Sequence, residues 1–258
     1  IRDQIRDYTS NIEEKTQDFV GRQFILDAID NFMENEQRGY VFVRGDPGIG
    51  KTALAAQIVK TRGYLHHFNI RAEGINKASD FLKSVCSQLI AVYKLEYAVL
   101  PPEATQDSGF LHKLLEEVSS QLDGKKCVIV VDALDEVENL NLSSGANTLY
   151  LPLTLPDGIY IICTMRRETD ENVQLRVDMS EQLELFIEQD EEGNIADVRE
   201  YVVNQTPRYG IQTYIQKQQI SDEAFINHMV EKSQGNFIYL RMVLPEVEQG
   251  AYTDLDFR

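Results

Sequence analysis

The sequence has little positive charge, few cysteines and no long apolar run. Lysine and arginine number 25 against 42 acidic residues, so the formal net charge is −17. A surface of that sign repels phosphate backbones, so we do not expect nucleic acid as a partner, and only a local basic patch would change this. No apolar stretch approaches the roughly 18 residues that a membrane-spanning helix needs, so we expect no membrane partner.

The three cysteines, Cys86, Cys127 and Cys163, are odd in number and widely spaced. Neither a disulfide framework nor metal-ligand spacing is visible, which favours a reducing compartment and predicts a cytoplasmic protein. No signal-peptide pattern opens the chain. Because the first residue is Ile1 rather than methionine, we expect the chain to be a piece of a longer polypeptide.

Short apolar segments alternate with amphipathic ones along most of the chain. The predicted strands are Tyr40–Arg44, Leu65–Ile70, Cys127–Val131 and Ile159–Thr164, with a further strand or hairpin in Val173–Gln189. The predicted helices are Phe24–Met33, Lys51–Arg62, Ala78–Tyr93, Gly109–Leu122, Asp197–Asn204, Ser221–Ser233 and Asn236–Val247. Strands that are apolar on both alternations are typical of parallel strands covered on both faces, so the pattern predicts an α/β fold.

The order of these elements predicts three segments. Residues 1–18 are polar and are expected to form a linker or an N-terminal helix. Residues 19–190 carry the alternating strands and helices, which predicts a parallel sheet flanked by helices. Residues 191–258 show helical patterns only, which predicts a small all-α domain.

The segment Gly45–Thr52 fits the pattern G-x-x-x-x-G-K-[ST] and directly follows the apolar run Tyr40–Val43. Glycines let the backbone wrap round an anion, so that successive amide N–H groups converge on phosphates. In such a loop Lys51 reaches the β- and γ-phosphates, and the Thr52 hydroxyl contributes to a Mg²⁺ site. We prefer this interpretation to a plain glycine turn because a strand precedes the motif and a helix follows it. The residues predicted to contact the nucleotide here are Gly45, Asp46, Pro47, Gly48, Ile49, Gly50, Lys51, Thr52 and Ala53.

A second group of polar residues follows the apolar run Val128–Val131. Asp132 stands at the end of this predicted strand, where an acidic residue is needed to hold Mg²⁺ beside bound phosphates. Asp135 and Glu136 follow, and either carboxylate could orient or deprotonate the attacking water. The sequence leaves that choice open.

A third group ends the strand Ile159–Thr164. Ligands of open parallel sheets lie at the carboxyl ends of the strands. Thr164 is therefore a candidate to sense the γ-phosphate, and Arg166 is a candidate to neutralise its charge. Arg167 is more typical of an ordinary surface residue.

With these three groups, the sequence resembles the STAND branch of P-loop NTPases, especially NACHT and NB-ARC-like modules. Phe19–Arg22 is similar to the hydrophobic-Gly-Arg motif of that family, and Asp132–Glu136 to its extended acidic strand end. Thr164–Arg166 is similar to its T-x-R sensor, and Ser233–Leu240 to its lid segment. The sequence departs from the family pattern at Phe237, where the lid motif would carry proline.

The resemblance implies a P-loop NTPase sheet of the ASCE/AAA+-like type followed by a helical lid. It implies that Val20, Gly21 and Arg22 line the pocket for adenine and ribose. It also implies binding of ATP, ADP and Mg²⁺, slow hydrolysis, and a switch in which exchange of ADP for ATP opens the lid and permits self-association. Proteins of this kind are longer, carry effector and sensor domains, and act in cell death and immunity.

Two other classes of function remain as alternatives. An AAA+ initiator or motor that acts on nucleic acid would use a lid arginine at the γ-phosphate, for which Arg199, Arg208 and Arg241 are candidates. A scaffold with a structural nucleotide would lack hydrolysis. A GTPase is disfavoured because no N-K-x-D motif follows the acidic strand end. His66 and His67 have no ligand-spaced cysteine or carboxylate cluster around them, so we expect no metal there.

Overall fold

The structure, a computed structural model, describes residues 1–138, 145–167 and 173–252. The strands are β1 (Gly39–Gly45), β2 (Leu65–Phe68), β3 (Cys127–Asp132), β4 (Ile159–Arg166) and β5 (Gln182–Ile187). The helices are α1 (Thr9–Thr16), α2 (Gln23–Asn35), α3 (Lys51–Arg62), α4 (Ala78–Tyr93), α5 (Gly109–Ser119), α6 (Glu192–Gln205), α7 (Tyr209–Gln218), α8 (Asp222–Ser233) and α9 (Phe237–Glu248). The predicted segments 19–190 and 191–258 both contain residues outside the described ranges.

The described strands form one sheet in the order β2-β3-β4-β1-β5. β3 runs parallel to β2, with Phe68 beside Asp132, and parallel to β4, with Val131 beside Cys163. Every residue of β3 is buried, as is every residue of β4 up to Met165. Such burial on both alternations requires cover on both faces of the sheet. The predicted α/β class with a parallel sheet is confirmed.

The chain divides into two compact groups. The first, the sheet unit, comprises Ile1–Thr16, Asp27–Arg44 and Lys51–Phe186. The second, the helical unit, comprises Gln17–Leu26, Gly45–Gly50 and Ile187–Arg258. Both groups are discontinuous along the chain, so neither corresponds to one predicted segment. The predicted boundary near residue 190 stays a prediction.

The core of the sheet unit combines apolar side chains from β3 and β4 with those from α4 and α5. In α5, Phe110, Leu111, Leu114 and Leu115 recur at helical spacing and are all buried. α1 contacts α3, and α3 contacts β3 and β4. The N-terminal segment is not a wholly exposed linker, because Tyr8 is 4% exposed and its hydroxyl donates to the Phe68 carbonyl at 3.1 Å.

The helical unit has a separate core built from α6 to α9. Ser221 is the N-cap of α8, and its hydroxyl accepts a hydrogen bond from the Ala224 amide. α7 was not predicted, since its Gln-rich sequence and Gly210 give a weak helical pattern. Its Ile211, Tyr214 and Ile215 are nevertheless buried in this core, so tertiary packing stabilises the helix.

Several predicted elements differ in length from those observed. α5 ends at Ser119 rather than Leu122, because Asp123 and Gly124 adopt left-handed conformations in the turn that follows. In the predicted strand or hairpin Val173–Gln189, only Gln182–Ile187 is a strand.

In the described ranges, no helix is both long enough and apolar enough to cross a membrane.

Candidate nucleotide-binding site

The glycine turn after β1 has a backbone that side chains would strain. Gly48 has a φ of +83° and Gly50 a φ of +100°, values that L-residues rarely adopt. α3 begins at Lys51, directly after the turn. The N-terminus of a helix carries unpaired amide N–H groups and the positive end of the helix dipole. This local structure is the one that phosphate binding requires.

Within the helical unit, the start of α9 lies against the glycine turn. The Asn236 side-chain amide donates to the Pro47 carbonyl at 3.1 Å, and the Ile238 amide donates to the Gly48 carbonyl at 3.2 Å. A Cβ added at Gly48 would lie 2.5 Å from Asn236 Oδ1. The turn therefore needs glycine at position 48 both for its φ and for this contact. The family resemblance places Asn236 in the lid segment Ser233–Leu240 but predicts no role for its side chain.

Arg22 is buried in the helical unit, with 2% of its surface exposed. Its Nη2 donates to the Ile49 carbonyl of the glycine turn at 2.5 Å, and its Nη1 donates to Asn194 Oδ1 at 2.8 Å. Asp197 Oδ2 accepts from the Arg22 backbone amide at 2.9 Å and lies 3.5 Å from Nη1. The guanidinium also lies over the Phe237 ring, at 5.1 Å from its centroid. These contacts tie the turn to α6 and to the start of α9.

The neighbouring Gly21 is required by the same network. Its φ is +68°, and a Cβ there would lie 2.0 Å from Asp197 Oδ1. The predicted role of Val20, Gly21 and Arg22 beside adenine and ribose stays a prediction. Asn194 and Asp197 were not predicted, because they belong to no motif and lie 172 and 175 residues from Arg22 in the sequence.

In the sheet unit, Asp132 ends β3 and is 2% exposed. Its Oδ1 accepts a hydrogen bond from the Thr164 hydroxyl at 2.5 Å, and the Thr52 hydroxyl also bonds to its side chain. Burial raises the pKa of Asp132 to about 6, while the two hydroxyl hydrogen bonds and the Lys51 charge oppose that rise. The threonine and lysine of the phosphate motif therefore interact with the acid at the strand end.

Thr164 joins the ends of β3 and β4. Its hydroxyl donates to Asp132 and accepts from the Ala133 amide at 3.0 Å, and the residue is 1% exposed. The single hydrogen bond that this hydroxyl can donate is therefore made to Asp132. Sensing of a γ-phosphate by Thr164 stays a prediction. The buried Asn69, which sequence analysis missed, donates its side-chain amide to the Asp132 carbonyl at 2.7 Å.

Asp135 and Glu136 lie in a short 3-10 turn, Leu134–Glu136, and have different partners. Asp135 binds Arg166 through both carboxylate oxygens: Oδ1 accepts from the backbone amide at 3.1 Å and Oδ2 lies 3.0 Å from Nε. Glu136 Oε2 accepts from the Arg71 backbone amide at 3.1 Å. Asp135 therefore pairs with an arginine side chain and Glu136 with a backbone amide, a difference that the sequence could not predict.

The side chains at the end of β3 fit a magnesium ion. Mg²⁺ prefers oxygen ligands and retains several waters, so one or two protein oxygens beside a phosphate suffice. Asp132 supplies a carboxylate, and Thr52 supplies a hydroxyl already hydrogen-bonded to it. Such an ion would supply positive charge to the phosphate oxygens. Thr52 and Asp132 are the residues that would hold it, and their role as magnesium ligands stays a prediction.

Comparison with known proteins gives one curated relative and several solved structures. The disease resistance protein RPM1 of Arabidopsis thaliana is 30% identical over 137 residues, which is 53% of this chain and 14% of RPM1. Two variants of RuvB from Thermotoga maritima each match with a TM-score of 0.43 and 11% identity. This chain corresponds to 63% and 65% of their lengths, and 90% and 91% of it is covered.

The protein family described as Nephrocystin 3, N-terminal, matches residues 21–151, which is half of the chain. The matched region includes the glycine turn, α3, Asp132 and the turn Leu134–Glu136. Arg166 and the helices from α6 onward lie outside it. The chain belongs to the Nephrocystin 3, N-terminal, family and is a STAND-class P-loop NTPase.

Proposed function

We propose that this chain is an ATP-binding and ATP-hydrolysing switch within a longer signalling protein. The observation that carries the proposal is the hydrogen bond between Thr52, from the phosphate motif, and the buried Asp132 carboxylate. A P-loop NTPase uses such a hydroxyl and such a carboxylate to hold Mg²⁺ beside the β- and γ-phosphates. Lys51 supplies the positive charge that contacts those phosphates.

The switch is the finer part of the proposal. In the helical unit, Arg22 and Asn236 each bond to a carbonyl of the glycine turn. A bound nucleotide that alters this turn would alter contacts made by α6 and α9. We propose that ATP and ADP favour different arrangements of these helices, and that the ATP state promotes self-association. A cytoplasmic role in immunity is proposed from the family resemblance and from the relative RPM1, whose name describes a disease resistance protein.

Calorimetric titration with ATP and Mg²⁺ tests the proposal through the variant Lys51→Ala. Loss of a charge-assisted contact to phosphate is expected to weaken ATP binding by about tenfold to 100-fold. The matched control is Lys83→Ala, because Lys83 is exposed on α4 and lies outside the motif. Undiminished affinity in Lys51→Ala would refute nucleotide binding at this motif.

Light scattering of the same samples tests self-association: the ATP-bound mass should exceed the ADP-bound mass in the wild type and not in Lys51→Ala.

The AAA+ alternative predicts a lid arginine at the phosphate. Arg199 pairs with Glu223 and Asn227, while Arg208 pairs with Asp18 and Glu248. The residue of α9 that bonds to the glycine turn through its backbone is Ile238. Two of the three candidate arginines are thus held in ion pairs within the helical unit, which favours the switch over the motor. DNA-stimulated ATP turnover at low salt would reverse that preference.

A further inference from the structure

The ion pair between Asp135 and Arg166 distinguishes the two candidate catalytic carboxylates. The Asp135 side chain is 8% exposed and the Arg166 side chain is 56% exposed. Both Asp135 oxygens contact the same residue, since Oδ1 accepts from its backbone amide and Oδ2 lies 3.0 Å from its Nε. A carboxylate whose two oxygens are engaged by the backbone amide and the guanidinium of one arginine has little freedom to turn toward a water molecule.

Glu136 is held less completely. Its Oε2 accepts from the Arg71 amide, and the residue is half-buried. The backbone around it is fixed, because the Asn76 side chain donates to the Glu136 carbonyl at 3.2 Å and the Glu136 amide donates to the Ala133 carbonyl at 3.0 Å. A carboxylate on a fixed backbone that makes one amide contact can still orient a water molecule.

The turn that carries both acids is anchored at the strand ends. Ala133 has a φ of 53° and donates its amide to Thr164, two residues before Arg166 on β4. The same short segments thus place Thr164 on Asp132 and Arg166 on Asp135. The partly exposed guanidinium is therefore oriented at the carboxyl edge of the sheet by a nearly buried anion.

We propose that Asp135 is a positioning residue that orients Arg166 toward the terminal phosphate, and that Glu136 is the carboxylate that orients the attacking water. This inference rests on the proposed ATPase function. It assigns the two neighbouring acids to different steps: Asp135 acts through Arg166 on charge in the phosphate, and Glu136 acts on the nucleophile.

A double-mutant cycle with single-turnover phosphate release tests the assignment on the whole chain. Glu136→Gln should lower the rate by about 100-fold or more with ATP affinity unchanged. Asp135→Asn should lower it by about tenfold, because the guanidinium loses its orientation. If Asp135 acts through Arg166, Asp135→Asn combined with Arg166→Gln should be no slower than Arg166→Gln alone. Multiplying effects, or a loss in Asp135→Asn as large as in Glu136→Gln, would overturn the assignment.

The ratio of ATP to ADP affinity gives a second readout that a merely structural role would not move. Asp135→Asn and Arg166→Gln should shift it by the same factor, and Asp135→Glu should restore part of it. The control is Glu184→Gln on β5, which removes the ion-pair partner of Arg44 on β1 and should leave the affinity ratio unchanged. If Asp135→Asn lowers stability without changing the ratio or the rate, the positioning role is refuted. Failure of the proposed function is distinguishable, because the wild type would then not bind ATP or would bind it equally well in Lys51→Ala.

Discussion

The sheet unit and the helical unit hold their polar side chains by different means. At the end of β3, Asp132 is held by hydroxyls from neighbouring elements, and its main partners are Thr164 and Thr52. In the helical unit, a buried arginine holds a backbone carbonyl of the glycine turn and is itself held by Asn194 and Asp197. The first arrangement follows from parallel-strand geometry. The second depends on a buried charge, so its loss should cost more.

The largest expected effect is that of Arg22→Ala. Removal of the guanidinium leaves Asn194 Oδ1 and the Ile49 carbonyl without their donor and removes the positive charge beside Asp197, which keeps only its hydrogen bond from the backbone amide. This is expected to cost about 3–5 kcal/mol in the free energy of unfolding. Because the sequence contains no tryptophan, denaturation is best followed by circular dichroism.

The control for Arg22→Ala is Arg199→Ala, in which the lost ion pair with Glu223 is exposed. Exposed ion pairs contribute about 0.2–1 kcal/mol. Equal destabilisation by the two variants would show that the buried arginine is not the main support of the glycine turn, and the contrast between the two units would fail.

The next effect is expected at the strand ends. Thr164→Val keeps the shape of the side chain but removes the hydroxyl that bonds Asp132 and Ala133, which is expected to cost about 1–3 kcal/mol. Unfolding is measured with a chelator present, so that metal binding does not contribute. In the control Thr213→Val, the lost hydroxyl is exposed and bonds only the Tyr209 carbonyl of its own helix, so we expect a change within about 0.5 kcal/mol. A smaller effect at Thr164 than at Thr213 would contradict the anchoring role.

The smallest effect concerns pH and a second buried group near the strand ends. Burial lowers the pKa of His67 on β2 to about 3. Below its ordinary pKa of about 6.5 the unfolded chain therefore binds a proton that the folded state excludes. Stability from this group is present above about pH 6.5 and falls with pH, by about 1 kcal/mol between about pH 6 and 5.

Unfolding as a function of pH checks this through His67→Gln, which should flatten that part of the curve. The control is His112→Gln, because His112 is partly exposed on α5. An unchanged slope in His67→Gln would show that other groups dominate the acid response of the sheet unit.

Sequence patterns predicted best those elements whose formation depends on residues close together in the chain. α3 and α4 have the predicted bounds because their apolar residues recur at helical spacing. Asp132 ends its strand as expected, since apolar residues on both alternations predict a buried parallel strand. α7 was missed, because its burial against the other helices outweighs a weak local pattern.

The sequence by itself determined the α/β class, the phosphate motif Gly45–Thr52 and the acids that follow β3, because each depends on residues adjacent in the chain. Only the tertiary structure decided that Arg22 contacts the glycine turn and that Asp135, rather than Glu136, pairs with Arg166. The physical reason is that a buried charge takes whichever partners the fold brings within hydrogen-bond distance. The hydrogen-bond partners of Arg22 lie from 27 to 175 residues away from it in the sequence.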